Sequence, residues 1–200
     1  MVKKKIVLNV CGVKSLGGLK LFLESFDFLV ESGNNLTVLY SELPFYKDLQ
    51  NQFINTDIVN FIYVKQKRLT HPYLNFFLSK EINNKINMSD AIIHYGNFGF
   101  KTNIKSFVLI QNVLPLVKND LRNRLLRYFI LRSVRTSQHI LIQLQHLKNY
   151  LPSEEKNKII EIGEIVEKSV PLSNTNKGIV CFASEVPNKN FEFILKTLKN

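Results

Sequence analysis

The chain has 200 residues, of which 45% are hydrophobic, and its formal net charge at pH 7 is +11. This apolar content suffices for a packed core and excludes an intrinsically disordered protein. No apolar run approaches the roughly 20 residues of a membrane-spanning helix. The run that follows the N-terminal lysines is interrupted by Asn9, so it predicts a first strand and not a signal peptide. We interpret Cys11 and Cys181, which lie in separate apolar runs, as buried reduced thiols of a cytoplasmic protein.

Short apolar runs alternate with helically spaced segments along most of the chain. The runs predict strands at residues 4–11, 36–40, 59–64, 91–95, 107–110, 140–143 and 159–163. Helical spacing predicts helices at residues 19–32, 73–86, 120–135 and 144–150, with Gly33 ending the first of them. Nearly continuous apolar strands are typical of parallel sheets that are buried on both faces. The pattern therefore predicts an α/β fold, a Rossmann-like open parallel sheet flanked by helices.

The composition changes near residue 170. Residues 171–177 are mostly polar and predict a linker. Residues 178–183 then predict a buried strand and residues 190–198 a helix. Because one strand and one helix cannot bury a core of their own, we predict a Rossmann-like domain over residues 1–170 and the incomplete start of a second domain over residues 178–200.

Positive charge is concentrated in residues 101–150, which contain nine lysines and arginines but one acidic residue. Five of the six arginines lie there: Arg122, Arg124, Arg127, Arg132 and Arg135. A local basic patch indicates an anionic partner, and the helix predicted at 120–135 mixes arginines with apolar residues as a membrane-surface helix does. A half-buried domain helix with exposed arginines fits equally well, because the arginines scatter around the helix. No nucleic-acid recognition module is evident, and no nucleic-acid partner is expected.

Two features lie where a parallel sheet binds ligands, at the carboxyl ends of its strands. Gly17 and Gly18, in the predicted loop after the first strand, allow close approach of a ligand, and the following helix N-terminus favours a phosphate. A plain tight turn is the alternative. His94, which ends the fourth strand, can exchange a proton or hydrogen-bond a sugar hydroxyl. The alternative there is a structural histidine bonded to backbone.

In order and spacing, these segments resemble the retaining GT-B glycosyltransferases of the family-4, or group 1, type. The resemblance rests on the first strand with its glycines, on segments of two later strands, DAIIH at 90–94 and VLIQNV at 108–113, and on RTSQHILIQLQHLKNYL at 135–151. It continues through KIIEIG at 158–163 to PNKN at 187–190, which is similar to a motif of the second domain. Such enzymes often build bacterial surface polysaccharides.

The resemblance implies a hexosyltransferase-like enzyme that transfers sugar from a nucleotide-sugar donor to a saccharide or lipid-linked acceptor, with no cofactor and no obligatory metal. It places Gly17, Gly18 and Lys189 near the donor phosphates, His94 near the reacting sugar, and Asn97 beside it. The protein would be cytoplasmic or peripheral on the inner face of the membrane. Because the family binds its donor mostly through the second domain, this chain is expected to be truncated and weak or inactive alone.

Two other functions remain open on the sequence. One is a non-catalytic basic α/β module that docks on an anionic membrane or on a partner enzyme; for the glycosyltransferase, the expected partner is a separate donor-binding domain. The other is a generic nucleotide-binding Rossmann enzyme, which has less support because the first loop lacks the dinucleotide fingerprint.

Overall fold

In the computed structural model, residues 3–13, 16–41, 49–51, 57–65 and 78–162 are described. All of them lie in the first of the two units into which the chain divides, Met1–Ile165. Their strands are β1 (Lys5–Asn9), β2 (Asn35–Tyr40), β3 (Val59–Tyr63), β4 (Ala91–His94), β5 (Lys105–Ile110), β6 (His139–Ile142) and β7 (Ile159–Glu161). Their helices are α1 (Leu16–Glu31), α2 (Lys80–Asn87), α3 (Leu114–Val117) and α4 (Leu121–Thr136), with 3-10 helices at Gln145–Tyr150 and Ser153–Lys158.

The seven strands form one sheet in the order β3-β2-β1-β4-β5-β6-β7, and every neighbouring pair is parallel. This confirms the predicted Rossmann-like α/β fold. From β1 the chain builds outward to β3 and then returns to place β4 on the other side of β1. Connections leave β1 and β4 in opposite directions, so their carboxyl ends border a crevice, the topological switch point at which such sheets bind ligands.

Helices cover both faces of the sheet, because side chains alternate along each buried strand. On one face, Phe22 and Phe26 of α1 pack against Leu8 of β1 and its neighbours. On the other face, α2 covers the β1–β4 region through Ile86, and α4 covers β5 and β6 through Ile130 and other apolar residues. The His94 side chain lies on the α2 face of β4, and its register partner on β5 is Val108, which packs against α4. The helices α2 and α4 therefore lie on the same face of the sheet.

The structure corrects several predicted boundaries. Helix α1 begins at Leu16, three residues earlier than predicted, so Gly17 and Gly18 lie in its first turn and not in the preceding loop. The short helix α3 was not predicted, since its four residues give no period to detect. The helix predicted at 73–86 is observed only in its second part, as α2, because Ser79 caps a helix that begins at Lys80; residues 78 and 79 are not helical, and residues 73–77 lie outside the described part.

Other predictions fall wholly or partly outside the described residues. The linker at 171–177 and the second-domain segment at 178–200, with Lys189 and Cys181, lie outside them. Cys11 is a free cysteine and is fully buried, which confirms its interpretation as a buried thiol. Among the described helices, none is both long enough and apolar enough to cross a membrane.

Candidate functional site

A buried hydrogen bond joins β1 and β4 at the switch point. Asn9 ends β1, His94 ends β4, and the two residues are register partners. The side-chain amide nitrogen of Asn9 lies 3.0 Å from Nδ1 of His94, and the two residues are 1% and 0% exposed. An asparagine within an otherwise apolar buried strand costs free energy unless its amide is bonded. The pairing with His94 supplies that bond.

The orientation of Asn9 determines the tautomer of His94. The carbonyl oxygen Oδ1 of Asn9 accepts the backbone N–H of Cys11 at 3.3 Å, so the amide nitrogen Nδ2 must face the imidazole. An amide nitrogen only donates, and Nδ1 of His94 therefore accepts. A neutral imidazole that accepts at Nδ1 carries its proton on Nε2. The Asn9–His94 pair thus holds a histidine at the ligand-binding edge of the sheet in one defined tautomer.

The ring of Phe100 and the backbone of Gly99 pack against the His94 imidazole. The Phe100 ring meets it edge to face, with centroids 4.7 Å apart. Gly99 packs so closely that a Cβ at that position would lie 2.8 Å from Cδ2 of His94. The N–H of Gly99 donates to the hydroxyl of Ser133 on α4 at 2.9 Å, which fixes this backbone in place. His94 therefore bonds the side chain of Asn9, and its catalytic role stays a prediction.

The neighbouring tyrosine serves the opposite face of the sheet. The hydroxyl of Tyr95 lies 2.6 Å from the Ser25 hydroxyl on α1, and its ring packs edge to face on Phe22. Burial raises the pKa of Tyr95 to about 12. A phenol this reluctant to ionise acts as a hydrogen-bonding group, and it ties α1 to the end of β4.

The turn after β4 approaches the loop after β1. Gly96 and Asn97 adopt positive φ angles of 84° and 73°. A Cβ at Gly96 would lie 2.8 Å from the carbonyl atoms of Gly12, so only glycine allows the two loops to meet. The side-chain oxygen of Asn97 accepts the N–H groups of Gln111 at 2.7 Å and of Asn112 at 3.2 Å. Asn97 thus holds the segment after β5, and its predicted contact with substrate stays a prediction.

Gly17 and Gly18 lie at the same edge of the sheet, in the first turn of α1. Gly17 is exposed and Gly18 is buried. A Cβ at Gly17 would meet nothing within 4 Å, so its missing side chain leaves open space beside the helix N-terminus. The amides of a first helical turn point outward without intrahelical acceptors and favour an anion. The geometry suits the predicted phosphate contact, which no bound ligand tests.

The five clustered arginines lie on α4. Arg122, Arg124 and Arg135 are exposed, and Arg132 is partly buried. The guanidinium of Arg127 differs from the others, because it donates to the carbonyls of Pro115 and Lys118 at 3.1 and 2.8 Å and to the side chain of Asn119 at 3.2 Å. Arg127 therefore fastens α4 to the segment before it, and the remaining four carry the basic surface.

Sequence reasoning did not identify Asn9 as a site residue. The available signal was a single amide inside an apolar strand, which was used only to argue against a signal peptide. Its partner is 85 residues away, so the pairing appears only in the folded sheet. In the described part of the chain, no group of three or more His, Cys, Asp and Glu side chains is arranged to hold a metal ion.

No protein-family model matches the chain, and no curated protein matches it. Among solved structures, the chain is similar to the crystal structure of TcCGT1 in complex with UDP, with a TM-score of 0.48 and 13% sequence identity. The similarity covers 88% of this chain and 54% of that one, so the chain spans about half the length of TcCGT1. The case for a function therefore comes from this chain's own residues.

Proposed function

We propose that the described domain is the acceptor-side domain of a retaining GT-B glycosyltransferase of the family-4 type. The enzyme would transfer a hexose from a nucleotide-sugar donor to a saccharide or lipid-linked acceptor in the synthesis of cell-surface polysaccharide. The donor-binding half is assigned to a second domain, in which Lys189 would contact the donor phosphates as a compact cation. The activity is proposed for the assembled enzyme.

The observation that carries the proposal is the switch point between β1 and β4. Three elements lie at this one edge of the sheet: the first turn of α1, the Gly12–Gly96 contact, and the Asn9–His94 pair. Glycines permit close approach of a ligand, helix amides favour an anion, and a histidine of defined tautomer orients a hydrogen bond. A nucleotide sugar presents both a diphosphate and a polyhydroxylated ring, which match these groups.

The chemistry of transfer explains why such groups would be useful. As the bond to the leaving diphosphate breaks, negative charge grows on the phosphate oxygens and positive charge on the sugar. Preorganised N–H groups aimed at the developing anion lower the barrier. The amides of Gly17 and Gly18 are the candidate donors on this side of the cleft, and His94 is the candidate group beside the sugar.

Selective labelling of glycine tests the site directly. The chain has eight glycines, so a protein labelled with ¹⁵N-glycine gives a small set of amide signals that single Gly→Ala variants assign. UDP and UDP-sugars should shift the signals of Gly12, Gly17, Gly18 and Gly96 saturably, at the weak affinity expected of one half of a donor site. Gly33, which follows the far end of α1, is the internal control and should not move.

The outcomes separate distinct explanations. Saturable shifts with UDP at the four edge glycines support the proposal. Shifts of equal size at Gly33, or none with any nucleotide diphosphate tested, would overturn it. Shifts with inorganic pyrophosphate that UDP does not produce would identify an anion site but contradict a nucleotide-sugar site. Transfer itself is tested by supplying a donor-binding domain in trans or by fusion, and persistent absence of sugar transfer would refute the enzymatic proposal.

A further inference from the structure

Helix α4 exposes a stripe of large apolar side chains on the side away from the sheet. Leu121, Leu125 and Tyr128 are 85%, 57% and 61% exposed. Spacings of four and three residues place them on one face of the helix. Val117, at the end of the adjacent helix α3, is exposed as well. Isolated exposed apolar residues are ordinary, but an aligned set is typical of an interaction surface.

Arginines share this face with the apolar stripe. At 3.6 residues per turn, Arg124, Arg132 and Arg135 fall with the stripe within about 100° of arc around α4. None of the ion pairs among the described residues involves them. The acidic residue of this region, Asp120, accepts hydrogen bonds from the backbone and side chain of Asn123 as the N-cap of α4. The exposed face is therefore both apolar and cationic.

We propose that this face of α4 is the surface with which the domain docks on an anionic lipid bilayer. The helix would lie in the plane of the interface. Its leucines and its tyrosine would enter the boundary between headgroups and acyl chains, where burial of apolar area gives affinity. Its arginines would bind lipid phosphates, which they recognise with paired N–H groups. The apolar stripe spans only two helical turns, so we expect the attachment to the membrane to be shallow and reversible.

The composition of the face favours a bilayer over two other occupants. A second copy of the chain, related by a two-fold axis, would set the same arginines against one another, and that juxtaposition costs free energy. A nucleic-acid backbone would engage the arginines but would give no apolar partner to Leu121 and Leu125, which are both exposed. A bilayer with anionic headgroups satisfies both halves of the surface at once.

Co-sedimentation with sucrose-loaded vesicles tests the docking. The chain should bind vesicles of phosphatidylcholine mixed with phosphatidylglycerol, bind phosphatidylcholine alone much more weakly, and dissociate at high salt. The double variant Arg124→Ala/Arg135→Ala should weaken binding about thirtyfold, since each arginine near an anionic surface contributes about 1 kcal/mol. Leu121→Ser/Leu125→Ser should weaken it about tenfold or more, because two leucines no longer enter the membrane.

Two control variants match these changes elsewhere on the surface. Lys4→Ala/Lys65→Ala removes the same charge from exposed positions near β1 and β3, on the far half of the sheet. Phe28→Ser/Met88→Ser removes exposed apolar side chains outside α4. Each control should change vesicle binding less than about threefold, because the apolar pair lies outside the docking face and the charge of the lysine pair is screened beyond about 10 Å. Far-ultraviolet circular dichroism verifies that all four variants are folded.

Three results would overturn the proposal. One is equal binding to the two vesicle types. Another is a loss of binding in the control variants as large as that in the α4 variants. The third is a dimer in sedimentation velocity, or binding to a DNA or RNA duplex, that depends on α4 without any binding to vesicles. The docking surface does not overlap the edge glycines, so it stands or fails independently of the glycosyltransferase proposal.

Discussion

Replacement of Asn9 should reveal whether the β1–β4 hydrogen bond sets the protonation geometry of His94. Asn9→Ala removes the amide that donates to Nδ1 of His94 and the oxygen that accepts the N–H of Cys11. Each buried polar group left without a partner costs about 1–3 kcal/mol, so the free energy of unfolding should fall by about 2–4 kcal/mol. For a domain of this size, that loss lowers Tm by about 5–15 °C.

Asn9→Asp is the more discriminating variant because it changes the donor alone. One aspartate oxygen can still accept the Cys11 N–H, but the atom that faces His94 is now an acceptor. The imidazole must then present a proton at Nδ1. Long-range ¹H–¹⁵N correlation of the protein's four histidines reads this directly, and His94→Gln identifies the signal. The wild-type ring should be protonated on Nε2, and the Asn9→Asp ring on Nδ1.

Ser25→Ala provides the matched control. It breaks the hydroxyl contact to Tyr95 on the opposite face of the same strand end, so it should lower stability without changing the tautomer of His94. Two results would refute the reasoning about Asn9. One is a wild-type His94 that is already protonated on Nδ1. The other is an Asn9→Ala protein as stable as the wild type.

Four further predictions concern other residues. Gly17→Ala should raise stability by about 0.5–1 kcal/mol, because its Cβ meets open space and alanine favours a helix, and it should weaken the shifts that UDP produces; a loss of stability would contradict the first part. Gly99→Ala should lower Tm and move the ¹⁵N signals of His94, since the new Cβ must displace the imidazole. Arg127→Lys keeps the positive charge but removes the forked guanidinium group that bonds two carbonyls. It should lower the free energy of unfolding in urea by about 1 kcal/mol and leave vesicle binding unchanged. The hydrogen bonds that the Asp120 side chain accepts from Asn123 lower the pKa of Asp120. The stability that this carboxylate contributes is therefore present near neutral pH and is lost as the pH falls through the lowered pKa. Asp120→Asn should remove this part of the acid sensitivity, and identical pH profiles of the two proteins would contradict the prediction.

The sequence alone determined the fold class. Runs such as KIVLN in β1 and KSFVLI in β5 are apolar almost throughout, and burial on both faces of a parallel sheet is the arrangement that hides such strands from water. It also placed His94 at a strand end, because the run before it is short and ends in polar residues. Both inferences needed only local patterns.

Helix boundaries and the use of individual side chains were decided by the tertiary structure. Apolar spacing gave no reason to begin α1 before Leu19, and the glycines in its first turn concealed the start. The role of Arg127 was equally hidden, since the carbonyls that it holds lie in and directly after the short helix α3, which no local pattern predicts.

Helix α4 has two apolar faces, and only the tertiary structure decides which of them is buried. Two apolar stripes run along the helix, and three of its arginines share a face with one of them. The fold buries the stripe of Phe129, Ile130 and Val134 against the sheet and leaves the stripe of Leu121 and Leu125 exposed. Sequence determines which residues are apolar, but which of two apolar faces meets water depends on where the helix packs. The Asn9–His94 pair has the same cause, since strands far apart in sequence become neighbours only when the sheet is assembled.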